Sequence, residues 1–233
     1  MPASRVSVPS VKKRSPKSES ESERRRYRQF CGVARALDVV GERWTLLLVR
    51  NLLLGPRRYS DLLAELPGIT TNLLAKRLSD LVDHGIVRKA SAGVSLSMPT
   101  YELTESGAAL EPVIMELGRW GGRFMAAPQS DDTINIGWGL LSMKRRYVGG
   151  LTLVAEFDIG GRLFELAFSP GYLAVQERAA IRPDVQVSGS AQAFRAWLFQ
   201  NASAVELRKR STLMVQGSAT AWKSLTSAFV APA

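Results

Sequence analysis

The hydrophobic period changes once along the chain, and that change limits what each part can fold into. Up to about residue 124, apolar side chains recur at helical spacing, as in Leu74, Leu78 and Leu81 or Leu110, Val113, Ile114, Leu117 and Trp120. From residue 151 they alternate, in Leu151-Thr-Leu-Val-Ala-Glu-Phe157 and Arg162-Leu-Phe-Glu-Leu-Ala-Phe168. The first pattern buries a stripe along a helix, the second one face of a strand. The class expected is α+β: a helical domain at residues 30–126, a linker at 127–139 and a smaller, separable sheet domain at 140–233.

Ahead of these, residues 1–29 carry nine Lys and Arg against three Glu, so most of the net charge of +10 sits in this segment. It is rich in Ser, Pro and charge and too poor in apolar residues to offset the entropy of ordering, which predicts a disordered basic tail. Lys12, Lys13, Arg14 and the arginines at 24–28 suit it to displacing counterions from nucleic-acid phosphates. A solubilising role fits the same composition. Arg25-Arg26 resembles an export signal, but Arg35 and Asp38 interrupt the apolar stretch such a signal needs, and no apolar run approaches the roughly 18 residues of a membrane span. A soluble, cytoplasmic, nucleoid-associated protein without a membrane partner is expected.

One cysteine, Cys31, leaves no internal disulfide or cysteine-based zinc cluster, and one histidine, His84, leaves no histidine-rich metal site. Neither metal nor cofactor is expected. No nucleophile–base pair or phosphate-cradling glycine loop stands out, so no enzyme activity is assigned. A catalytic acid would have to come from Glu156, Asp158, Glu165 or Asp184, and nothing singles one out.

Cys31 to Leu54 reads as a helix with Gly41 as its weak point, apolar on nearly every side in its second half, and therefore in need of two covers. Gly55-Pro56 stops it. Ser60 is an N-cap for a short helix from Asp61 to Leu66, and Thr70 or Thr71 caps the next. On a helical wheel Leu78 and Leu81 fall within about 40 degrees of Leu74, with Asn72, Lys76, Ser79 and Asp83 opposite. Gly85 ends this helix, and strands at Ile86–Lys89 and Thr100–Thr104 form a hairpin. Three helices and a hairpin make a winged helix-turn-helix, whose second turn helix enters the major groove of double-stranded DNA. Asn72 is suited to adenine, Lys76 to guanine or phosphate, and Thr70, Thr71 and Ser79 to either, while Arg57, Arg58, Arg77, Arg88 and Lys89 supply backbone contacts. A solvated helix face is the plain alternative.

These residues add up to a resemblance. Cys31, Leu37-Asp-Val-Val-Gly-Glu-Arg-Trp-Thr45, Gly55-Pro-Arg-Arg-Tyr-Ser-Asp-Leu62, Gly68-Ile69, Gly85, Arg88 and Tyr101-Glu-Leu-Thr-Glu-Ser-Gly107 resemble the HxlR-type winged-helix regulators over about residues 30–124. The resemblance implies a homodimeric regulator, a repressor in our expectation, that binds inverted-repeat operators. Its dimer would be built from the Trp44–Leu54 helix and the Glu105–Phe124 helix, the latter kinked or restarted at Pro112. It also implies an oxidant- or electrophile-sensing thiol at Cys31, where a helix N-terminus and Arg26, Arg28 and Arg35 favour thiolate. A small apolar packing role for Cys31 is the alternative.

In the second domain, strands at 151–157, 162–168, 172–175 and 185–187 are followed by a helix at 191–200, a strand at 212–216 and a helix at 219–229. The run Pro183-Asp-Val-Gln-Val-Ser-Gly-Ser190, a helix, then Leu213-Met-Val-Gln-Gly-Ser218 and a final helix is similar to the sterol-carrier-protein domain. That similarity implies an apolar cavity for a hydrophobic small-molecule effector, bordered by Phe194, Trp197, Leu198, Trp222, Leu225 and Phe229. The same residues would also simply fill a core. The rival to a DNA-binding regulator is a lipid-binding protein that uses its winged helix only to dimerise.

Overall fold

The computed structural model describes residues 26–90, 99–126, 129–199, 202–210 and 212–229. The predicted basic tail up to residue 25 lies outside them. The chain divides into two compact units, with the boundary between Glu42 and Arg43.

In the first unit, helix α1 (Gly32–Val40) starts from Cys31 in extended conformation. The Asp38 carboxylate accepts the Tyr27 backbone N–H at 2.9 Å and pairs with Arg35 at 3.5 Å. The continuous helix expected from Cys31 to Leu54 does not form. Helix α2 covers only Thr45–Leu52, and Trp44 ahead of it takes a left-handed conformation at φ 79°, which costs an L-residue energy unless the surroundings enforce it. Two contacts hold this segment: the Arg43 carbonyl accepts the Arg77 Nε–H at 3.1 Å, and the Trp44 ring lies 3.7 Å from where a Cβ on Gly68 would stand.

The second unit opens with α2 and continues through strand β1 (Arg57–Arg58), helix α3 (Tyr59–Glu65) and helix α4 (Thr71–Asp83). The N-cap of α3 is Arg58 rather than Ser60, and the Asp61 carboxylate accepts the Arg58 N–H at 3.1 Å. Gly68, at φ 90°, makes the turn between α3 and α4 in a conformation that suits glycine. Strands β2 (Val87–Ala90) and β3 (Thr100–Leu103) form the antiparallel hairpin, and β1 joins it to give the order β1-β3-β2. The long helix expected from Glu105 to Phe124 is two: α5 (Glu105–Ala108) and α6 (Glu111–Gly122), the second restarting with Pro112 in its first turn, where a missing N–H does no harm.

Helix α7 (Ile136–Lys144) begins within the last four residues of the segment expected as a linker and runs into the expected second domain. Beyond it lie β4 (Leu153–Ile159), β5 (Arg162–Ser169), β6 (Tyr172–Gln176), β7 (Val185–Gly189), α8 (Ala191–Phe199), α9 (Ala204–Lys209), β8 (Leu213–Gly217) and α10 (Ala219–Ser227). The sheet runs β6-β5-β4-β7-β8, with β4 and β7 parallel and the other pairs antiparallel. Burial alternates residue by residue along β4, and Phe157, Phe164 and Phe194 are fully enclosed in the core.

Leu54, at the end of the α2 segment, belongs to this same core. The Glu177 N–H donates to the Leu54 carbonyl at 2.7 Å, Trp138 Nε1–H donates to Asn51 Oδ1 at 3.0 Å, and the Arg50 guanidinium stacks 3.7 Å above the Trp138 ring. Lys144 pairs with Glu111 of α6 at 2.5 Å, and the Tyr172 hydroxyl donates to Glu111 at 3.0 Å. Helix α2 does receive two covers. The second is α7 of its own chain, which meets α2 at its C-terminal end through Arg50 and Asn51, while Leu47 stays 39% exposed. Both domains read from the sequence after residue 43 thus lie within one compact unit.

Candidate nucleic-acid interface

Helix α4 separates its faces sharply. Leu74, Leu78 and Leu81 are buried, whereas Thr70, Thr71, Asn72, Lys76 and Ser79 are all exposed. The Thr70 hydroxyl caps the helix by accepting the Leu73 N–H at 3.3 Å, and no acid occupies the first turn. The partial positive charge of a helix N-terminus is therefore left for an outside anion. The Tyr59 hydroxyl ties α3 to this end by donating to the Thr71 carbonyl at 2.7 Å.

Arg58, exposed at the start of α3, flanks that surface. On the hairpin, Lys89 is exposed and lies 5.9 Å from the Tyr101 ring centre, while Arg88 pairs across the strands with Glu102 at 2.6 Å. Exposed pairs of this kind are weakly held and exchange readily for phosphate. Residues 91–98, the tip of the hairpin, lie outside the described residues.

Two predicted DNA contacts point inward instead. Arg57 is 7% exposed, donates to Glu177 at 2.5 Å and lies 3.7 Å from Glu65. Arg77 is 6% exposed, donates to the Arg43 carbonyl and pairs with Asp80 at 3.2 Å. Both are removed from the interface in the same way: each side chain is buried and engaged with acceptors of its own chain. The helical wheel carried a signal for Arg77, which falls about 60 degrees from Leu74 and so on the buried side. Nothing in the sequence distinguished Arg57 from Arg58.

Cys31 is exposed at the N-cap of α1. The backbone N–H groups of Ala34 and then Val33, at the start of α1, pull its thiol below the ordinary cysteine range, which favours thiolate. An open cleft of about 420 Å³ beside it is lined by Arg26, Arg28, Gln29, Phe30 and Arg35.

The apolar residues expected to border a cavity are packed on one another. Phe194 lies 5.3 Å from Phe157, Trp197 lies 5.5 Å from Phe157 and 6.1 Å from Trp222, and Phe194, Trp222 and Leu225 are buried. Phe229 belongs to a separate group, 6.1 Å from Tyr147 and 6.0 Å from Phe168. The Leu198 side chain lies outside the described residues. The four acids considered for catalysis all have structural partners. Glu156 accepts from the Ala180 N–H and Gln186, Asp158 from the Gly161 N–H, Glu165 from Arg178, and Asp184 from the Val154 N–H. Among the described residues, no three His, Cys, Asp or Glu side chains are grouped to hold a metal ion, and no helix is long and apolar enough to cross a membrane.

The family profile described as HxlR-like helix-turn-helix matches residues 39–129. An HTH-type transcriptional regulator of Mycobacterium tuberculosis is 38% identical over 97 residues, 42% of this chain and 61% of that protein, so the chain spans about three fifths of that relative. The HTH-type transcriptional regulators YvaP and YodB of Bacillus subtilis are 34% identical over 86 residues and 33% over 89. These matches cover 37% and 38% of this chain and 80% of each relative. Among solved structures, the redox regulator HypR in its oxidized form is 30% identical with a TM-score of 0.39, covering 42% of this chain and all of that one.

Proposed function

We propose, because the chain belongs to the HxlR-like helix-turn-helix family, that it is a sequence-specific DNA-binding transcriptional regulator with α4 as its recognition helix. The observation that carries this reading is the exposed, acid-free face of Thr70, Thr71, Asn72, Lys76 and Ser79 above a fully buried apolar back. Asn72 and Lys76 read base edges, and Arg58, Arg88 and Lys89 hold phosphates. The regulator acts in the cytoplasm.

It acts as a homodimer through α6. Val113, Leu117, Trp120 and Phe124 lie in one stripe and are 50%, 45%, 57% and 71% exposed, a larger continuous apolar face than a monomer usually leaves open. Trp120 and Phe124 stack edge to face at 4.9 Å and present a joint surface. Two α4 helices related by the dimer axis then read an inverted repeat.

Selection of duplexes from a random pool by the full chain, at near-physiological salt, tests the reading. An enriched inverted repeat is expected, and Lys76→Glu should abolish its enrichment while leaving the fold and the dimer intact. Unchanged enrichment by Lys76→Glu would move the binding surface elsewhere. Cys31 supplies a redox input, supported by its exposure and lowered thiol pKa. An apolar effector in the second domain would have to part the Phe157, Phe194, Trp197 and Trp222 rings. Their mutual packing supports a core role for them.

A further inference from the structure

Three consecutive residues at the start of the helix-turn-helix face three different neighbours. Arg57 points into the seam with the C-terminal sheet, Arg58 faces solvent, and Tyr59 reaches the recognition helix. On the seam side, Glu177 comes directly after β6. One of its carboxylate oxygens accepts from Arg57 at 2.5 Å and from Arg162 at 2.9 Å, and the other from Arg162 at 2.7 Å. Its backbone N–H holds the Leu54 carbonyl, so Glu177 grips the turn before β1 by both main chain and side chain. Glu65 of α3 lies 3.7 Å from Arg57 and 3.7 Å from Arg162, too far for a hydrogen bond to either. Arg57 is buried, so without Glu177 its guanidinium keeps the Pro56 carbonyl at 3.2 Å but loses its one close carboxylate, and it must shift to find another anion or water.

Any such shift is carried directly to the DNA side. Arg57 pairs with Tyr101 of β3, and two residues on, Tyr59 donates to the Thr71 carbonyl in the first turn of α4. We propose that Glu177 is a positioning residue for DNA recognition: by fixing Arg57 it sets the β1–α3 junction and, through Tyr59, the N-terminal turn of α4. The C-terminal domain thereby tunes how well α4 reads its site without touching DNA. This inference rests on the DNA-binding reading above.

The test uses the full chain, a duplex enriched by the wild type and a scrambled duplex of equal length. Glu177→Gln keeps the shape and removes the charge; it should lower the ratio of affinities for the two duplexes by about tenfold, within the range of ordinary intramolecular coupling. Glu177→Asp should recover part of the ratio. Glu165→Gln, which breaks the neighbouring Arg178 pair on the same sheet, should leave the ratio alone. A DNA-free measurement accompanies it: the Leu73 and Leu74 amides, bonded to Thr70 at the start of α4, should exchange hydrogen faster in Glu177→Gln than in the wild type. Unchanged exchange at Leu73 and Leu74 overturns the proposal, and so does an unchanged affinity ratio. If the wild type enriches no duplex, the DNA-binding reading fails by itself, and the exchange measurement still decides whether Glu177 positions α4.

Discussion

Leu54→Ala measures how firmly the winged helix and the C-terminal domain are joined. Leu54 lies in the segment matched by the helix-turn-helix family, yet it is 1% exposed in the core of the sheet domain. The contact is close. A Cβ on Gly137 at the start of α7 would fall 2.6 Å from the Leu54 Cδ1, so glycine at 137 is what lets the two segments meet. Truncation removes three carbon groups, worth about 0.8 kcal/mol each, or about 2.4 kcal/mol. The residual cavity adds roughly 1 kcal/mol, giving an expected loss of about 3.5 kcal/mol, inside the usual range of 2–5 kcal/mol for such a change. With a urea dependence of about 2 kcal/mol per molar, the midpoint should fall by roughly 1.7 M.

The assay is urea unfolding of the full chain, followed by tryptophan fluorescence and by far-ultraviolet circular dichroism. A single transition coincident by both probes is expected, moving as a whole in Leu54→Ala. Two wild-type transitions, with the substitution shifting only one, would contradict a joint core and support the separable second domain expected from the sequence. A shift below about 0.5 M would refute the burial argument itself.

Two further outcomes are expected. Because the α1 N-terminus lowers the Cys31 thiol pKa, the thiolate persists as pH falls, and the alkylation rate should reach half its maximum at a lower pH than for an unstructured cysteine peptide; a midpoint at or above the peptide's would remove the structural case for a sensing thiol. Leu117→Asp, at the centre of the exposed α6 stripe, should convert a dimer into a monomer in sedimentation with little change in unfolding midpoint, and a dimer that survives would place the interface elsewhere.

Helix α4 was the most legible part of the chain. Leu74, Leu78 and Leu81 alone fix its buried side, and Thr70 caps it as an N-terminal threonine should. The strands after residue 150 were legible too, since period two is hard to mistake when Leu153, Ala155, Phe157 and Ile159 all turn inward. Helix α7 was not, because Ile136-Gly-Trp-Gly-Leu-Leu-Ser-Met-Lys144 is covered on nearly every side and contains two glycines. Without a polar face it shows no periodicity, and it resembles a linker. The break before Trp44 was hidden for a different reason: the left-handed tryptophan and Arg43 before it lie against residues distant in sequence, Gly68 and Arg77, as well as against each other. Arg57 and Arg58 are identical residues in a two-residue strand, and only the alternation of that strand sends one into the seam.

The seam between the domains combines two kinds of contact with different consequences. Arg57 and Arg162 share Glu65 and Glu177, and burial depresses the Arg50 guanidinium to about 10, with Glu65 opposing the shift. The Trp138 ring beneath Arg50 and the Asn51 side-chain Oδ1 at 3.1 Å, which accepts from the Arg50 Nε–H, are the other partners of this guanidinium. Buried ion pairs of this sort add little net stability, because desolvation offsets the attraction, but leaving one partner unpaired is strongly destabilising. The apolar contacts of Leu54 and of Met115 on α6 therefore hold the domains together. The charges make the joint specific, since Arg57 is buried and its one close carboxylate is Glu177.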